Sequence, residues 1–301
     1  MRGLDAKRGE TGRGRRRKRS RPAPIEQRVL LTAVLCLLAL GAVMVYSASS
    51  ATSLLLGESD GTMYLIRYVV LGAIGLVVMQ LLARRGLAAA RRLTPFLLGI
   101  SFLLVIAVKV PGVGIEVNGA QRWLGVGPVQ FQPAELLKIS LVLYAAGLIA
   151  DKPRRVRTFK GLVNPLLVVV GGACALVALQ PDLGTALVIA FTMGALLVVA
   201  GVPLRYLAAI GAGAAVLILA YSAIEPYRMA RLTAFIDPWA DATGTGFQSV
   251  QGEIAIGSGG LLGLGPGQSV QKVFYLPEAH TDFILAVLGE ELGFMGNAII
   301  P

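Results

Sequence analysis

The sequence has few charged residues and few of the side chains that most often bind metals. Asp, Glu, Lys and Arg make up 15% of its 301 residues, against about 25% in soluble domains. One histidine and two cysteines are present, which excludes the usual zinc sites because these take four such ligands. Cys36 and Cys174 lie within apolar runs, so we interpret them as packing residues rather than as a disulfide.

Hydrophobic residues dominate instead, at 55% of the chain with a mean hydropathy of +0.71. Because a run of about 20 apolar residues can cross a bilayer as a helix, we predict an all-α, polytopic transmembrane helix bundle. The predicted spans, about eight in number, lie near residues 29–50, 64–83, 93–110, 133–150, 163–179, 183–201, 205–223 and 283–301.

Basic residues mark one side of the predicted bundle. Four arginines flank the connection between the second and third spans, and five Lys or Arg fall within 152–160. The connection 51–63 carries Glu58 and Asp60 and no basic residue. The positive-inside rule therefore places the N-terminus and the basic connections in the cytoplasm.

The N-terminal segment 1–28 carries most of the net charge. It holds eleven Lys or Arg against three acidic residues, a net +8 out of +11, and no aromatic residue. This composition predicts a disordered cytoplasmic tail. We interpret it as an anchor that touches anionic membrane lipid, with a partner protein as the alternative, and we expect no nucleic acid as a partner.

Two connections on the other side, residues 111–132 and residues 224–282, are longer than turns. Residues 224–282 form a predicted large extracytoplasmic loop, and such loops are generally functional or disordered. Its Trp, Tyr and Phe residues favour order, and Ser249–Ile256 is predicted as a short amphipathic helix at the membrane surface. Six glycines between residues 257 and 267 predict a flexible segment. A nucleotide site is excluded there because no strand precedes it and no Gly-Lys-Ser/Thr follows.

Asp282 stands where this loop meets the last predicted helix, two residues after the only histidine, His280. An ionisable residue at such a place is costly and usually functional. The structural alternative is that Thr281 or Asp282 caps the helix, where the helix dipole favours a carboxylate by about 0.3–1 kcal/mol. Both interpretations can hold together. His280 and Glu278 would orient Asp282 or contact a phosphate, or serve as hydrogen-bonded loop residues.

The segment 119–138 combines a helix start with two cations. Pro133 suits the first helical position, with Gln132 as the cap and Glu135 three residues later, which predicts a capping box. Lys138 lies about 7–8 Å along that helix, so it needs a partner such as Glu135 or a polar cavity. Arg122 and Lys138 would alternatively bind phosphate, Arg122 through a bidentate fork.

Three further acidic residues interrupt apolar stretches. Asp182 is predicted to cap a helix after a tight turn that contains Gln180. Glu290 and Glu291 lie about 12 Å into the last helix, and we interpret them as internal tethers to basic groups on other spans. Gly289 and Gly293 would give that helix a close-packing GxxxG face.

Several of these stretches together resemble the SEDS family (shape, elongation, division and sporulation), and among its members the cell-division type. The sequence YLPEAHTDF, followed by GEELG, carries the resemblance. Four further stretches contribute to it: MVYSASS at 44–50, the segment with RW and QPAELLK, QPDLGTA and SVQK. It covers residues 29–301. Since the family has ten spans, the resemblance implies that a C-terminal piece is missing.

The resemblance implies a peptidoglycan glycosyltransferase that polymerises lipid II. Asp282 would then be the catalytic base that removes a proton from the acceptor sugar hydroxyl. The remaining residues would bind substrate or line its cavity: Arg122, Lys138, Lys272, Gln271, His280, Glu278, Glu135, Asp182 and Gln180. No cofactor is certain, although Mg²⁺ or Mn²⁺ would help at the pyrophosphate.

The family also implies a class B penicillin-binding protein and other divisome proteins as partners, in the plasma membrane at the division septum. Two alternatives concern lipid II itself, a flippase or an elongation-type polymerase. Polar groups gathered toward the outer half of the bundle favour chemistry at that face over transport through it. A structural scaffold is a third alternative, and it predicts that Asp282 is replaceable.

Overall fold

The computed structural model describes residues 25–57, 61–117, 119–126, 129–223 and 226–299. Most of the predicted tail, together with Glu58 and Asp60, therefore lies outside the described residues. The helices are α1 (Ile25–Leu55), α2 (Met63–Arg85), α3 (Leu87–Ala107), α4 (Pro133–Asp151), α5 (Pro153–Val156), α6 (Phe159–Leu162), α7 (Val168–Ala178), α8 (Leu183–Val199), α9 (Leu204–Ala223), α10 (Pro226–Ile236), α11 (Phe247–Gly259) and α12 (Ile284–Ile299). The strands are β1 (Ile115–Val117), β2 (Ala120–Val126) and β3 (Val129–Phe131).

Six of the helical segments that the structure describes are long and apolar enough to cross a membrane. They are α1, α2, α3, α4, the segment Phe159–Ala178, which is kinked at Asn164, and α9, and each coincides with a predicted span. The segment α8 is apolar but has only 17 residues. The prediction of an all-α, multi-pass membrane protein is confirmed.

The last predicted span, 283–301, differs from the prediction. The helix α12 is interrupted at Gly293, whose φ of +68° lies in the left-handed region. Beyond it, the Phe294 amide donates to the carbonyl of Gly260 (2.8 Å) and the Met295 amide to that of Leu261 (3.1 Å). The predicted GxxxG face is therefore wrong at Gly293, where glycine permits a break in the backbone rather than close helix packing.

The glycine-rich segment is packed rather than flexible. A Cβ on Gly259 would lie 1.9 Å from the Gly289 carbonyl oxygen, and one on Gly263 would lie 2.2 Å from that of Glu291. The amides of Leu264 and Gly265 donate to the carbonyls of residues 290 and 291 (both 2.9 Å). These glycines let two backbones touch, because any side chain would keep them apart.

The chain forms two compact units. Among the described residues, the first comprises those within 1–70 and 251–301, and the second comprises those within 71–250. The core of the first unit is built by α1, α11, the segment before α12 and α12 itself: Met44, Ala48, Ala255, Leu276, Ala279, Ala286, Val287 and Leu288. The core of the second unit joins α3, α4, α7 and α8, around Leu137, Leu141, Val177 and Ile189.

A small antiparallel sheet occupies the segment 111–132, which was predicted only as a long connection. Its strand order is β1-β2-β3, with Ile115 opposite Trp123 and Leu124 opposite Phe131. Gly119, between β1 and β2, has a φ of +75°, which suits a tight hairpin turn. The strand β3 leads directly into α4, so the sheet fixes the approach to Pro133.

The long segment 224–282 also has its own structure. It contains α10, a 3₁₀ turn at Pro238–Asp241 and α11. The predicted helix Ser249–Ile256 is confirmed as part of α11, whereas α10 was not predicted. Its amphipathic sequence follows α9 after two residues.

Candidate functional site

Asp282 lies in the turn that leads into α12, with an exposed side chain. The first helical hydrogen bonds, from the amides of residues 286 and 287, go to the carbonyl of Phe283 (3.0 and 3.2 Å). Phe283 therefore holds the capping position, and neither Thr281 nor Asp282 caps the helix as predicted. Asp282 makes no hydrogen bond or ion pair with the part of the chain that the structure describes.

The residues just before Asp282 are ordered by local contacts. Thr281 Oγ1 donates to a carboxylate oxygen of Glu278 (3.0 Å) and contacts its carbonyl oxygen (3.2 Å). The ring of His280 packs against that of Tyr64, with centroids 4.3 Å apart and planes 58° apart. His280 is half-buried and Glu278 exposed. The structure thus places both residues in the same turn as Asp282.

Lys272 is buried in the first unit, at 5% relative exposure. Its ammonium group donates to Glu291 Oε1 (2.7 Å), to the Gly267 carbonyl (2.8 Å) and to Ser47 Oγ (3.1 Å). An ammonium has three protons, so these contacts use all of them. In this arrangement Lys272 holds the loop to α1 and α12 and offers no free donor to a phosphate.

The two carboxylates of α12 fix the segment that contains Lys272. Ser47 Oγ donates to Glu291 Oε1 (2.7 Å). Glu290, 1% exposed, accepts from Ser269 Oγ (2.5 Å) and from the backbone amides of Val270 and Gln271 (3.1 and 3.3 Å). Both residues are therefore internal tethers, as interpreted from the sequence. The prediction that they bind basic groups on other spans is wrong, because Glu290 accepts from a hydroxyl and two amides and the basic partner of Glu291, Lys272, lies in a loop.

Gln271 shows a different feature. Its side-chain carbonyl oxygen is buried and has no hydrogen-bond partner among the described residues. Such an atom is costly unless a water or a ligand satisfies it.

A second polar cluster, in the second unit, centres on Asp182. This carboxylate accepts from the Thr185 amide (3.1 Å) and caps α8, as predicted. It also accepts from Gln132 Nε2 (2.8 Å) and lies 3.8 Å from a guanidinium nitrogen of Arg122. Gln132 occupies the capping position of α4 without a side-chain cap bond, so the predicted capping box is wrong because Asp182 takes its amide.

Arg122 has one unsatisfied donor. Its Nε is buried without a partner among the described residues, although the side chain as a whole is 31% exposed. Lys138 Nζ pairs with Glu135 Oε1 at 2.7 Å, with 28% and 57% of the two side chains exposed. Both cations are thus partly accessible, and Lys138 can exchange its exposed carboxylate partner for another anion.

Gln180 does not share this accessibility. It is 2% exposed, and its amide donates to the carbonyl of Val105 on α3 (2.6 Å). It therefore holds the turn before α8 against α3 and presents no surface to a substrate.

Sequence reasoning missed Ser47, Ser269 and Tyr64. Ser47 is the first of five Ser or Thr residues within 47–53, at the end of the largely apolar helix α1, and that concentration is the available signal. Ser269 begins the SVQK stretch that contributes to the resemblance, which is a local signal, whereas no local pattern points to Tyr64. Among the described residues, no group of three His, Cys, Asp or Glu side chains is placed to hold a metal ion.

Comparison with known proteins gives consistent matches over most of the chain. The profile of the cell cycle protein family that comprises FtsW, RodA and SpoVE matches residues 27–300. The probable peptidoglycan glycosyltransferase FtsW of Nitrosococcus halophilus is 43% identical over 277 residues, which are 90% of this chain and 70% of that protein. Stage V sporulation protein E of Bacillus subtilis is 37% identical over 90% of this chain and 74% of its own length.

Solved structures agree with the fold. A chain of a peptidoglycan synthase complex that coordinates polymerization and crosslinking superimposes with a TM-score of 0.65 at 30% identity, covering 90% of this chain and 72% of that one. The rod shape determining protein RodA of Thermus thermophilus superimposes with a TM-score of 0.56, also at 30% identity, over 90% and 68% of the two chains.

Proposed function

We propose that Asp282 is the general base of this chain, which belongs to the SEDS family of cell cycle proteins and is a peptidoglycan glycosyltransferase. The observation that carries the assignment is the state of its carboxylate. Asp282 is exposed and unpartnered among the described residues, whereas Asp182, Glu290 and Glu291 are buried and hydrogen-bonded. A base must be reachable by the hydroxyl whose proton it takes.

The reaction joins two lipid-linked sugars. A hydroxyl oxygen of the acceptor sugar forms a bond to the anomeric carbon of the donor, and the bond between that carbon and the pyrophosphate oxygen breaks. The hydroxyl proton passes to the carboxylate of Asp282, and the electron pair leaves with the polyprenyl pyrophosphate. Because the nucleophile is a neutral hydroxyl, removing its proton in the transition state is worth about 10²–10⁴-fold in rate.

The leaving group carries negative charge that cations must neutralise. Arg122 and Lys138 suit this role because each is partly exposed and Arg122 retains a buried donor without a partner. Lys272 does not suit it, since its protons are used within the first unit. Mg²⁺ or Mn²⁺ chelated by the substrate's own pyrophosphate would add to this neutralisation.

The substrate, partners and location follow from the family. Lipid II serves as donor and acceptor, and a class B penicillin-binding protein crosslinks the product beside this chain in the division septum. The peptidoglycan synthase complex among the structural matches supports such a partner, and the FtsW relatives support a role in division over elongation. The basic connections between spans support a cytoplasmic N-terminus.

The deciding experiment measures polymerisation of purified lipid II by the full-length protein with its transpeptidase partner. Asp282→Asn keeps the size of the side chain and removes the base, so glycan chains should disappear while partner binding persists. Asp237→Asn, at another exposed aspartate before a short helical turn, is the matched control and should keep normal activity.

Two outcomes would contradict the proposal. Full polymerisation by Asp282→Asn would remove Asp282 from the mechanism. If the wild-type complex makes no polymer but moves lipid II across liposomes, the chain is a transporter rather than a polymerase.

A further inference from the structure

We propose that a cavity in the first unit is the subsite for the acceptor sugar of the reaction, an N-acetylated hexosamine ring, and not for its pyrophosphate. This inference rests on the proposed function and adds which part of the substrate the cavity takes. The cavity has a volume of about 380 Å³, within the range of small-molecule sites. It is bounded by the end of α1, the start of α2 and the segment 272–280.

The lining has the chemistry of a carbohydrate site. Hydroxyl groups come from Ser49, Thr52 and Ser53 of α1, and the segment 272–280 contributes Glu278 and the ring of His280. A pyranose offers several hydroxyl groups, each both donor and acceptor, to such a surface. Tyr64 also lines the cavity, and an aromatic ring can pack against the apolar C–H face of a sugar.

The charge of the lining excludes a pyrophosphate. Lys272 is the one Lys or Arg among the lining residues, and its ammonium already contacts Glu291, Ser47 and the Gly267 carbonyl. The carboxylate of Glu278 would repel phosphate. What remains is a polar surface without a free Lys or Arg side chain, which suits the uncharged part of a lipid-linked sugar.

Backbone strain is concentrated at the same place. Three non-glycine residues among those described have positive φ, and two of them, Phe274 (+66°) and Glu278 (+53°), line the cavity. Left-handed backbone costs a non-glycine residue about 1–3 kcal/mol and clusters at functional sites. Here it turns the segment so that Phe274 and residues 276–280 line the cavity.

The cavity is also close enough to the base. Asp282 follows His280 by two residues, and two residues span at most about 7 Å. Asp282 does not itself line the cavity, so in this proposal the sugar ring extends past His280 to bring one of its hydroxyl groups to the Asp282 carboxylate. The subsite thus explains how the acceptor hydroxyl meets the base.

The experiment combines kinetics with binding of a neutral probe. N,N′-diacetylchitobiose, which has the sugar chemistry and no phosphate, is titrated against the full-length protein by saturation-transfer NMR. The variants are Tyr64→Ala, Tyr64→Phe and Ser53→Leu, which respectively remove the ring, remove only its hydroxyl and fill the cavity. Tyr46→Ala, at an exposed α1 tyrosine outside the lining, is the control, and thermal unfolding confirms that each variant is folded.

The expected result is binding of the probe to wild type and to Tyr46→Ala, and its loss in Tyr64→Ala and Ser53→Leu. The KM for lipid II should rise about tenfold in Tyr64→Ala, the effect of losing roughly one good contact, with kcat changed much less. For Tyr64→Phe, probe binding and the KM for lipid II should lie between those of wild type and Tyr64→Ala. Inorganic pyrophosphate should not displace the probe.

Displacement of the probe by pyrophosphate would overturn the proposal, because the cavity would then bind the leaving group. Absence of probe binding, with an unchanged KM in Tyr64→Ala, would overturn it while the loss of activity in Asp282→Asn left the proposed function standing. Probe binding that maps to the cavity in a protein without polymerase activity would support the subsite and refute the proposed function.

Discussion

The two units hold their ion pairs in opposite ways. In the first unit, Lys272 and Glu291 meet at 2.7 Å with 5% and 1% of their side chains exposed. In the second unit, Lys138 and Glu135 meet at the same distance with 28% and 57% exposed. The geometry is the same, so the difference in burial decides what each pair does.

Burial separates structural charges from available ones. A buried pair has lost its hydration, so removing either partner leaves an uncompensated charge and is strongly destabilising. An exposed pair exchanges with water or another anion at little cost, and contributes roughly 0–1 kcal/mol. We therefore expect the first pair to control folding and the second to be free to bind substrate.

The largest effect should come from breaking the buried pair. Glu291→Ala leaves the Lys272 ammonium without its carboxylate, and we expect a loss of stability of about 3–5 kcal/mol. Thermal unfolding in detergent, followed by tryptophan fluorescence, measures it.

The matched control removes both charges at once. Lys272→Met combined with Glu291→Leu should recover most of the stability lost by Glu291→Ala, because no buried charge remains. A double variant as unstable as the single one would mean that the pair itself, and not the orphaned charge, stabilises the unit.

A smaller loss is expected from the backbone contact that positions this pair. Gly263 has a φ of +81° and lies against the backbone of α12, so Gly263→Ala should destabilise by about 1–3 kcal/mol. Gly257→Ala is the control, since Gly257 is helical with open space around it. That variant should be neutral or slightly stabilising in the same unfolding measurement. Equal losses of stability in both variants would show that the close backbone packing at Gly263 does not stabilise this unit.

The exposed pair should separate stability from activity. Lys138→Ala should change stability by less than about 1 kcal/mol and still lower kcat/KM for lipid II by tenfold or more, because a cation for the pyrophosphate is lost. Lys152→Ala, at the other end of α4, is the control and should change neither. If stability and kcat/KM both fall in Lys138→Ala, this pair is structural too, and the two units do not differ in the way proposed.

The sequence predicts the parts of this fold that depend on composition and misses those that depend on distant contacts. Long apolar runs were sufficient to predict six spans. The interruption of an apolar run was sufficient to predict that Asp182 caps a helix. The interruption of α12 was missed because GEELGF at 289–294 is typical of a helix, and the hydrogen bonds that break it, from beyond Gly293 to Gly260 and Leu261, join residues far apart in the sequence.

The residues of the candidate site show the same difference between local signals and distant contacts. The acidic turn around Asp282 was visible because polar residues stand beside an apolar run. The burial and pairing of Lys272 could not be predicted, since its partners Ser47 and Glu291 lie 225 and 19 residues away in the sequence. The β1-β2 hairpin has a local signal in the sequence, the Asn118-Gly119 pair, which is typical of a two-residue hairpin turn.

The smallest effect tests a carboxylate that is hydrogen-bonded but not buried. Asp241, exposed in the second unit, accepts from the Thr245 amide (2.8 Å) and hydroxyl (3.0 Å). These bonds, the backbone one foremost, lower the pKa of Asp241. Its stabilising contribution is therefore present above the ordinary carboxyl range, about 3.9, and is lost as the pH falls through the lower folded pKa. In wild type, the Thr245 amide should lose its protection from hydrogen exchange only below that range, after correction for intrinsic rates. In Asp241→Asn, the protection of this amide should be weak at every pH. Protection that is independent of pH in wild type would show that, without burial, even two hydrogen bonds to a carboxylate do not couple its charge to the fold.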